Sequence, residues 1–245
     1  MKVLVAVPAL NEAAALGRVL ESLATAQPLR DVVVIDDGSS DETARIAREA
    51  GARVISHAIN LGVGAAMGTA FKFAARAGYD AVIQFDGDGQ HRPEFIPDLI
   101  AALDSADLVI GSRYSSGGSY KSSAARRSVQ RFIARVTSLY ARTRLTDATS
   151  GFRISGPRAV AVFAEHYPVE WLGDTVESIV LATRQGLKVA ELPVAMNERA
   201  GGVPSQSILR ATLYTGRILF ILGLASIRRV PPAARRARRD AEEAA

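Results

Sequence analysis

The stretch Val82–His91, VIQFDGDGQH, runs an apolar segment into two aspartates separated by one glycine. Ala81, Val82, Ile83 and Phe85 leave little room for polar alternation. A strand that is apolar on both sides is covered on both faces, the habit of parallel sheets packed between helices. Two carboxylates at the end of such a strand therefore need a reason to sit beside a core.

Outward from it, the pattern recurs. "KVLVAV" (2–7), "DVVVID" (31–36), "ARVISH" (52–57), "DAVIQF" (80–85) and "DLVIGS" (107–112) read as strands, with helices over 11–26, 41–50, 64–77 and 93–103 between them. Strands alternating with helices across short connections predict an α/β fold: a mostly parallel, doubly wound sheet with helices on both faces. Ligands of such sheets bind beyond the carboxyl ends of the strands. The second half is less regular, with helices predicted over 123–142, 157–165 and 174–185 and strands over 151–155 and 187–194. There is no internal repeat and no linker, so residues 1–205 are expected to form one domain.

The chain has 245 residues, of which 48% are hydrophobic, enough for a sizeable core. It has no cysteine, which excludes disulfides and thiolate metal sites. The first apolar run, 3–7, stops at Pro8 without a cleavable signal, so a cytosolic protein is expected. The net charge of +5 is unevenly spread. Residues 108–146 contain Arg113, Lys121, Arg126, Arg127, Arg131, Arg135, Arg142 and Arg144 and no acid, which suits an anionic partner such as phosphate or anionic lipid. No aromatic platform or recognition motif supports nucleic-acid binding. The apolar stretch 208–225 is interrupted by Arg210 and Arg217, and the unbroken part is shorter than the roughly 20 residues a bilayer requires. An amphipathic helix over 206–228 is expected, lying on a membrane surface, on a separate membrane protein or on its own domain. The basic tail 229–245 is expected to lack a fixed structure.

Three of the predicted strand ends carry carboxylates: PALNE after the first, DDGSSDET after the second and DGDGQ after the fourth. Gly38 permits a tight turn, and Ser39 or Ser40 with Asp41 suits a helix cap, which leaves Asp36 and Asp37 unexplained. In an extended chain Asp86 and Asp88 point to one side and can converge on a hard cation. Mg²⁺ or Mn²⁺ takes carboxylate oxygens and shares its other positions with phosphate and water. His91 reads as a hydrogen-bonding residue rather than a ligand.

VAVPALNE, VVVIDDGSSDET, NLGVGAAMGTA, VIQFDGDGQHRPE and LVIGSRY, in this order, resemble the family 2 glycosyltransferases of the GT-A fold. Within them the chain is most similar to the dolichyl-phosphate mannose synthase and polyprenyl-phosphate glycosyltransferase branch; TSGFR (149–153) and ELPVAMNERAGG (191–202) extend the match. The resemblance implies that Pro8, Asn11, Glu12 and the Gly38 turn line a nucleotide pocket, with Asp37 on the base or ribose and Asp36 supporting it. It implies that Asp86, Asp88 and Gln90 hold Mg²⁺ or Mn²⁺ on the donor diphosphate. Arg113 would face phosphates, Arg126 and Arg127 an acceptor phosphate, and Arg199 a loop closing over the donor. Many relatives carry Gly-x-Ser-Lys in that loop, where this chain reads GGVPSQS (201–207) without lysine. The implied reaction moves a sugar, with inversion, from a GDP- or UDP-sugar to a polyprenyl phosphate, at the cytoplasmic face of a membrane. A hydroxyl acceptor would instead require a base, for which Asp147, Asp174 and Glu177 are candidates. The remaining alternative is a non-catalytic module that recruits partners to the membrane. A haloacid-dehalogenase-type phosphatase would carry its Asp-x-Asp-Gly after the first strand, and a sugar-nucleotide pyrophosphorylase would carry a Gly-rich basic loop there; neither is present.

Overall fold

The computed structural model describes residues 1–27, 31–114, 124–169 and 174–197, with the side chains of 124–126 outside that description. Among these residues seven strands form one sheet in the order β3-β2-β1-β4-β6-β5-β7. They are β1 (Val3–Ala9), β2 (Asp31–Asp36), β3 (Arg53–Ser56), β4 (Ala81–Gln84), β5 (Leu108–Ser112), β6 (Arg153–Ser155) and β7 (Val189–Pro193). All neighbours are parallel except β6, which runs antiparallel between β4 and β5. The predicted doubly wound, mostly parallel sheet is observed. The antiparallel insertion of β6 is the feature that local pattern did not give.

Among the described residues seven helices accompany the sheet: α1 (Ala13–Ala26), α2 (Thr43–Glu49), α3 (Val63–Arg76), α4 (Ile96–Ala102, entered through a 3-10 turn at Pro93–Phe95), α5 (Ala124–Ala141), α6 (Pro157–His166) and α7 (Asp174–Arg184). Alternation along each strand sorts the core into two layers. Leu4, Ala6, Val33, Ile35, Val82, Leu108 and Ile110 face α3, α5, α6 and α7. Val3, Val5, Val7, Val34, Ile83, Val109 and Ile154 face α1 and α4, where Leu16, Val19, Leu20, Ile96 and Leu99 meet them. Each such buried side chain stabilises the fold by about 1.5–3 kcal/mol. Phe71, Phe163 and Tyr167 close the first layer, with ring centroids 4.9–5.3 Å apart.

Two helix starts differ from the sequence reading. α1 begins at Ala13 rather than at residue 11, because Asn11 adopts φ 55°, which ends helical geometry there. α2 begins at Thr43, and Asp41 is not a simple cap for it. One Asp41 oxygen accepts the Thr43 amide at 3.0 Å, while the other accepts the Ala13 amide of α1 at 3.1 Å.

Two topological facts place the site. The chain leaves β1 toward β2 and β3, then returns on the other side to β4, so the carboxyl ends of β1 and β4 flank the switch point of the sheet. The β6 ladder sets Arg153 beside Gln84, and Phe152 accepts the Gly111 amide at 2.8 Å, so Ser150–Phe152 run alongside the segment after β4.

Candidate active site

β1 and β2 end together, with Ala9 paired to Asp36. Their two loops are laced to each other. Asn11 donates its amide to Ser39 Oγ at 2.9 Å and its side-chain carbonyl accepts the Ser40 amide at 2.9 Å, while Glu12 donates its amide to Thr43 Oγ1. Asp36 Oδ1 accepts the Ser39 amide. Gly38, at φ +75°, runs against the backbone of Ile59 and Asn60; a Cβ there would lie 2.6 Å from a carbonyl carbon, so only glycine fits. Asp37 is buried, at 3% exposure. Its carboxylate accepts the Leu61 and Gly62 amides at 3.0 and 2.7 Å and lies 2.7 Å from His57 Nδ1, whose other nitrogen meets Thr69 Oγ1. The Asp37 carboxylate thus holds the 57–62 loop in place.

After β4 the chain is not extended. Asp86 leaves the strand, Gly87 and Asp88 form a turn, and Gly89 adopts φ +78°. The side-by-side aspartates expected of an extended segment are replaced by this turn. Asp88 is nearly buried, and its Oδ1 accepts the Gln90 amide at 3.0 Å. The Asp86 side chain is about a third exposed (35%). Gly87 packs near Pro8, Glu12 and Leu16, which brings the first loop against this turn. Gly151, arriving on the strand-6 side, lies so close that a Cβ would sit 2.6 Å from Asp86 Oδ2. From the far edge, Asn197 donates its amide to the Gln90 carbonyl at 2.9 Å, drawing the segment after β7 to the same place.

His91 organises this turn. Its Nδ1 accepts the Asp86 amide at 2.9 Å, so the neutral ring carries its proton on Nε2, which faces Asp86 Oδ2 at 3.4 Å. The ring stacks on Phe152 and meets Phe85 edge-on. Burial holds its pKa below the ordinary histidine value, against the opposing pull of Asp86 and Asp88. Arg113 and Asp147 also lie within its electrostatic reach.

Arg113, at the end of β5, makes a paired contact with Asp147: Nε to Oδ2 at 2.6 Å and Nη2 to Oδ1 at 2.7 Å. Asp147 is thereby committed to a guanidinium and is not poised as a base. Behind it stands Glu191 of β7, whose carboxylate accepts the Thr146 and Asp147 amides at 2.7–2.8 Å and the Thr146 hydroxyl. Burial pushes the Glu191 pKa upward, and these amide contacts oppose it. Asp174 is buried at the head of α7, hydrogen-bonded by the Tyr167 hydroxyl, and burial raises its pKa to about 6 against the pull of Arg153. Glu177 is half-buried on the same helix.

Beside Tyr114 a cavity of about 860 Å³ opens between α5 and the 142–146 segment. Tyr114, Ala134, Leu139 and Leu145 give it apolar walls, and Arg127 is among five arginines on its rim. The Tyr114 hydroxyl donates to Gln130 of α5 at 2.8 Å, tying the end of β5 to that helix. The side chain of Arg126, and Arg199 with the whole of 198–245, lie outside the described residues, as does the expected 206–228 helix.

The family model for glycosyl transferase family 2 matches residues 4–162. The chain belongs to that family. This family 2 glycosyltransferase is 31% identical over 231 residues to an undecaprenyl-phosphate mannosyltransferase of Micrococcus luteus, covering 87% of this chain and 94% of that one. It is 30% identical over 223 residues to a polyprenol monophosphomannose synthase of Mycolicibacterium smegmatis, covering 84% and 81%. Among solved structures, glucosyl-3-phosphoglycerate synthase from Mycobacterium tuberculosis, in complex with Mn²⁺, UDP and phosphoglyceric acid, superposes with a TM-score of 0.70 at 20% identity over 95% of this chain and 80% of that one. The fold is GT-A, as the motifs implied.

The donor set fits a divalent cation. Among the described residues no three His, Cys, Asp or Glu side chains converge as a metal cluster. Asp86 and Asp88 would supply two carboxylates and leave the other positions to diphosphate oxygens and water, the sharing that Mg²⁺ and Mn²⁺ accept. Gly151, Glu191 and the Arg113–Asp147 pairing went unassigned in the sequence reading. TSGFR and ELPV stood out as motifs there, but only the sheet pairing shows what Gly151 and Glu191 touch. Asp147 carried one signal: it is the first acid after the acid-free basic segment.

Proposed function

We propose that this family 2 enzyme transfers a sugar, with inversion, from a nucleoside diphosphate sugar to a polyprenyl-phosphate lipid. The observation that carries the acceptor choice is the arginine-rimmed apolar cavity between α5 and the 142–146 segment. An isoprenoid chain suits its apolar walls and a phosphate monoester its rim. The two relatives named for undecaprenyl-phosphate mannosyl transfer and polyprenol monophosphomannose synthesis support the same choice.

In this reading the laced loops after β1 and β2, with Pro8, Asn11, Glu12, Asp36, Asp37 and Gly38, form the nucleotide end. Exposed Leu10, Ile59 and Leu61 offer apolar surface to the base. Asp86, Asp88 and Gln90 form the diphosphate end, and a bound Mg²⁺ or Mn²⁺ supplies Lewis-acid stabilisation of the leaving diphosphate. Arg113, fixed by Asp147, and Arg126 and Arg127 at the head of α5 neutralise and orient the acceptor phosphate. A phosphate monoester is already an anion at neutral pH, so positioning and charge neutralisation matter more than a base.

The test is a donor screen with purified protein, Mn²⁺ or Mg²⁺, and either polyprenyl phosphate or soluble hydroxyl acceptors. Lipid-linked sugar from a GDP- or UDP-sugar is expected. Transfer to a soluble hydroxyl compound with none to lipid refutes the acceptor assignment.

A further inference from the structure

Helix α5 is amphipathic in an unusual sense. One side is core: Ile133, Ala134 and Thr137 are at most 2% exposed. The opposite side carries Arg131, Phe132, Arg135 and Leu139, and Arg142 continues it just past the helix end. These positions share one helical face by their spacing of three and four. Phe132 is 47% exposed and Leu139 80%, the latter the most exposed large apolar side chain among the described residues. The helix contains no acid to offset its arginines. Like charges one turn apart oppose helix formation, so the protein keeps this face at a cost.

Something must meet both large apolar groups and a row of cations. Two occupants from within the system match poorly. The apolar segment 208–225 of this chain carries Arg210 and Arg217 and is followed by six arginines from residue 228 on, so it presents like charge. A second copy docked through α5 would set arginine row against arginine row. An anionic bilayer surface matches both parts, with phosphate headgroups for Arg131, Arg135 and Arg142 and the acyl boundary for Phe132 and Leu139.

We propose that the exposed face of α5 is a docking surface for anionic lipid, independent of the segment beyond residue 205. The arginine-rimmed cavity is lined by the same helix. Docking through α5 therefore sets its mouth toward the bilayer, where an amphiphilic acceptor enters without leaving the membrane. The face shares Arg131, Arg135, Leu139 and Arg142 with that cavity, so the account of what enters it rests on the proposed function, while binding to plain anionic vesicles does not.

The experiment is co-sedimentation of the full chain with vesicles of phosphatidylcholine alone or mixed with phosphatidylglycerol, with no polyprenyl phosphate and no donor present. Binding is expected to the mixed vesicles only and to weaken as salt rises. Arg131→Glu with Arg135→Glu, and separately Leu139→Asp, each lower the partition coefficient about ten-fold or more. Both changes are on exposed positions, and thermal melts verify the fold; Leu139→Asp, which touches no arginine, stands as the test if the double variant fails to fold. Arg228→Ala with Arg229→Ala lowers binding less than either. Wild-type binding by the α5 variants, equal binding to neutral vesicles, or a dimer that Leu139→Asp splits without changing vesicle binding would each overturn the proposal.

Discussion

Replacing Gly151 with alanine isolates the Asp86 carboxylate from the rest of the site. The added Cβ would lie 2.6 Å from Asp86 Oδ2 and 3.0 Å from Oδ1, where ordinary contact begins at 3.4 Å. The carboxylate must retreat by about 0.8 Å. Gly151 does not use a positive φ, so its backbone accepts alanine without strain. Asp86 is about a third exposed and can swing outward. A displaced rotamer costs about 0.5–1.5 kcal/mol, so the melting temperature drops only slightly. The chemistry is far less forgiving, because a misplacement near 1 Å in a positioned group costs about 10²-fold. We expect Gly151→Ala to weaken Mn²⁺ binding, read by paramagnetic resonance or calorimetry with nucleoside diphosphate present, and to lower kcat by one to two orders of magnitude. Gly87→Ala is the matched control. Its Cβ would meet nothing closer than 3.7 Å, so Mn²⁺ affinity stays near wild type. A Gly151→Ala protein with wild-type Mn²⁺ affinity and turnover, or a crystal structure showing Asp86 unmoved, would refute the argument.

Asp88→Ala abolishes metal-dependent turnover, while loss of its contact to the Gln90 amide costs only about 1 kcal/mol in a denaturant titration. Glu191→Gln replaces an acceptor oxygen with a donor facing the Thr146 and Asp147 amides; the Asp147 support of Arg113 loosens, and steady-state kinetics show the acceptor KM rising about ten-fold with the donor KM unchanged. Asp174 gives a pH signature. Its folded pKa of about 6 lies above the ordinary 3.8, so the folded state binds the extra proton between those values. Stability therefore falls by about 2 kcal/mol as pH rises from 4 to 6 and levels off near pH 7. Asp174→Asn, which retains an acceptor for the Tyr167 hydroxyl, removes that slope, and the difference between the two proteins in chemical denaturation at pH 4.5 and 7 measures it.

Strand and helix alternation was legible because each element carries its own period, and the placement of the site beyond the carboxyl ends of the strands followed from it. The antiparallel β6 was not. Residues 151–155 read as a strand, but a short apolar run does not state which strands it joins. That one pairing puts Gly151 against Asp86 and Phe152 against His91. The Asp86–Asp88 geometry failed for a local reason. Period-2 logic holds only while the chain stays in the ladder, and the β4 ladder stops at Gln84. Asp36 and Asp37 were flagged because carboxylates near a core require a partner. The partner for Asp37 turned out to be the 57–62 loop, twenty residues away in sequence.

The arginines show where composition stops informing. Arg113, Arg131, Arg135 and Arg153 look alike in a basic sequence, yet they meet different fates. Arg113 is locked to Asp147, and Arg153 is 2% exposed, its guanidinium spent on the Ser150 and Thr175 carbonyls and the Ser178 hydroxyl. Arg131 and Arg135 stand on the surface of α5. Inward arginines are fixed by acceptors already inside the protein, so they organise the site and add little to its outward field. The outward ones are left to an external anion. In the proposed reading, the charge that draws a phosphate-bearing lipid therefore resides on α5, apart from the carboxylates assigned to the nucleotide.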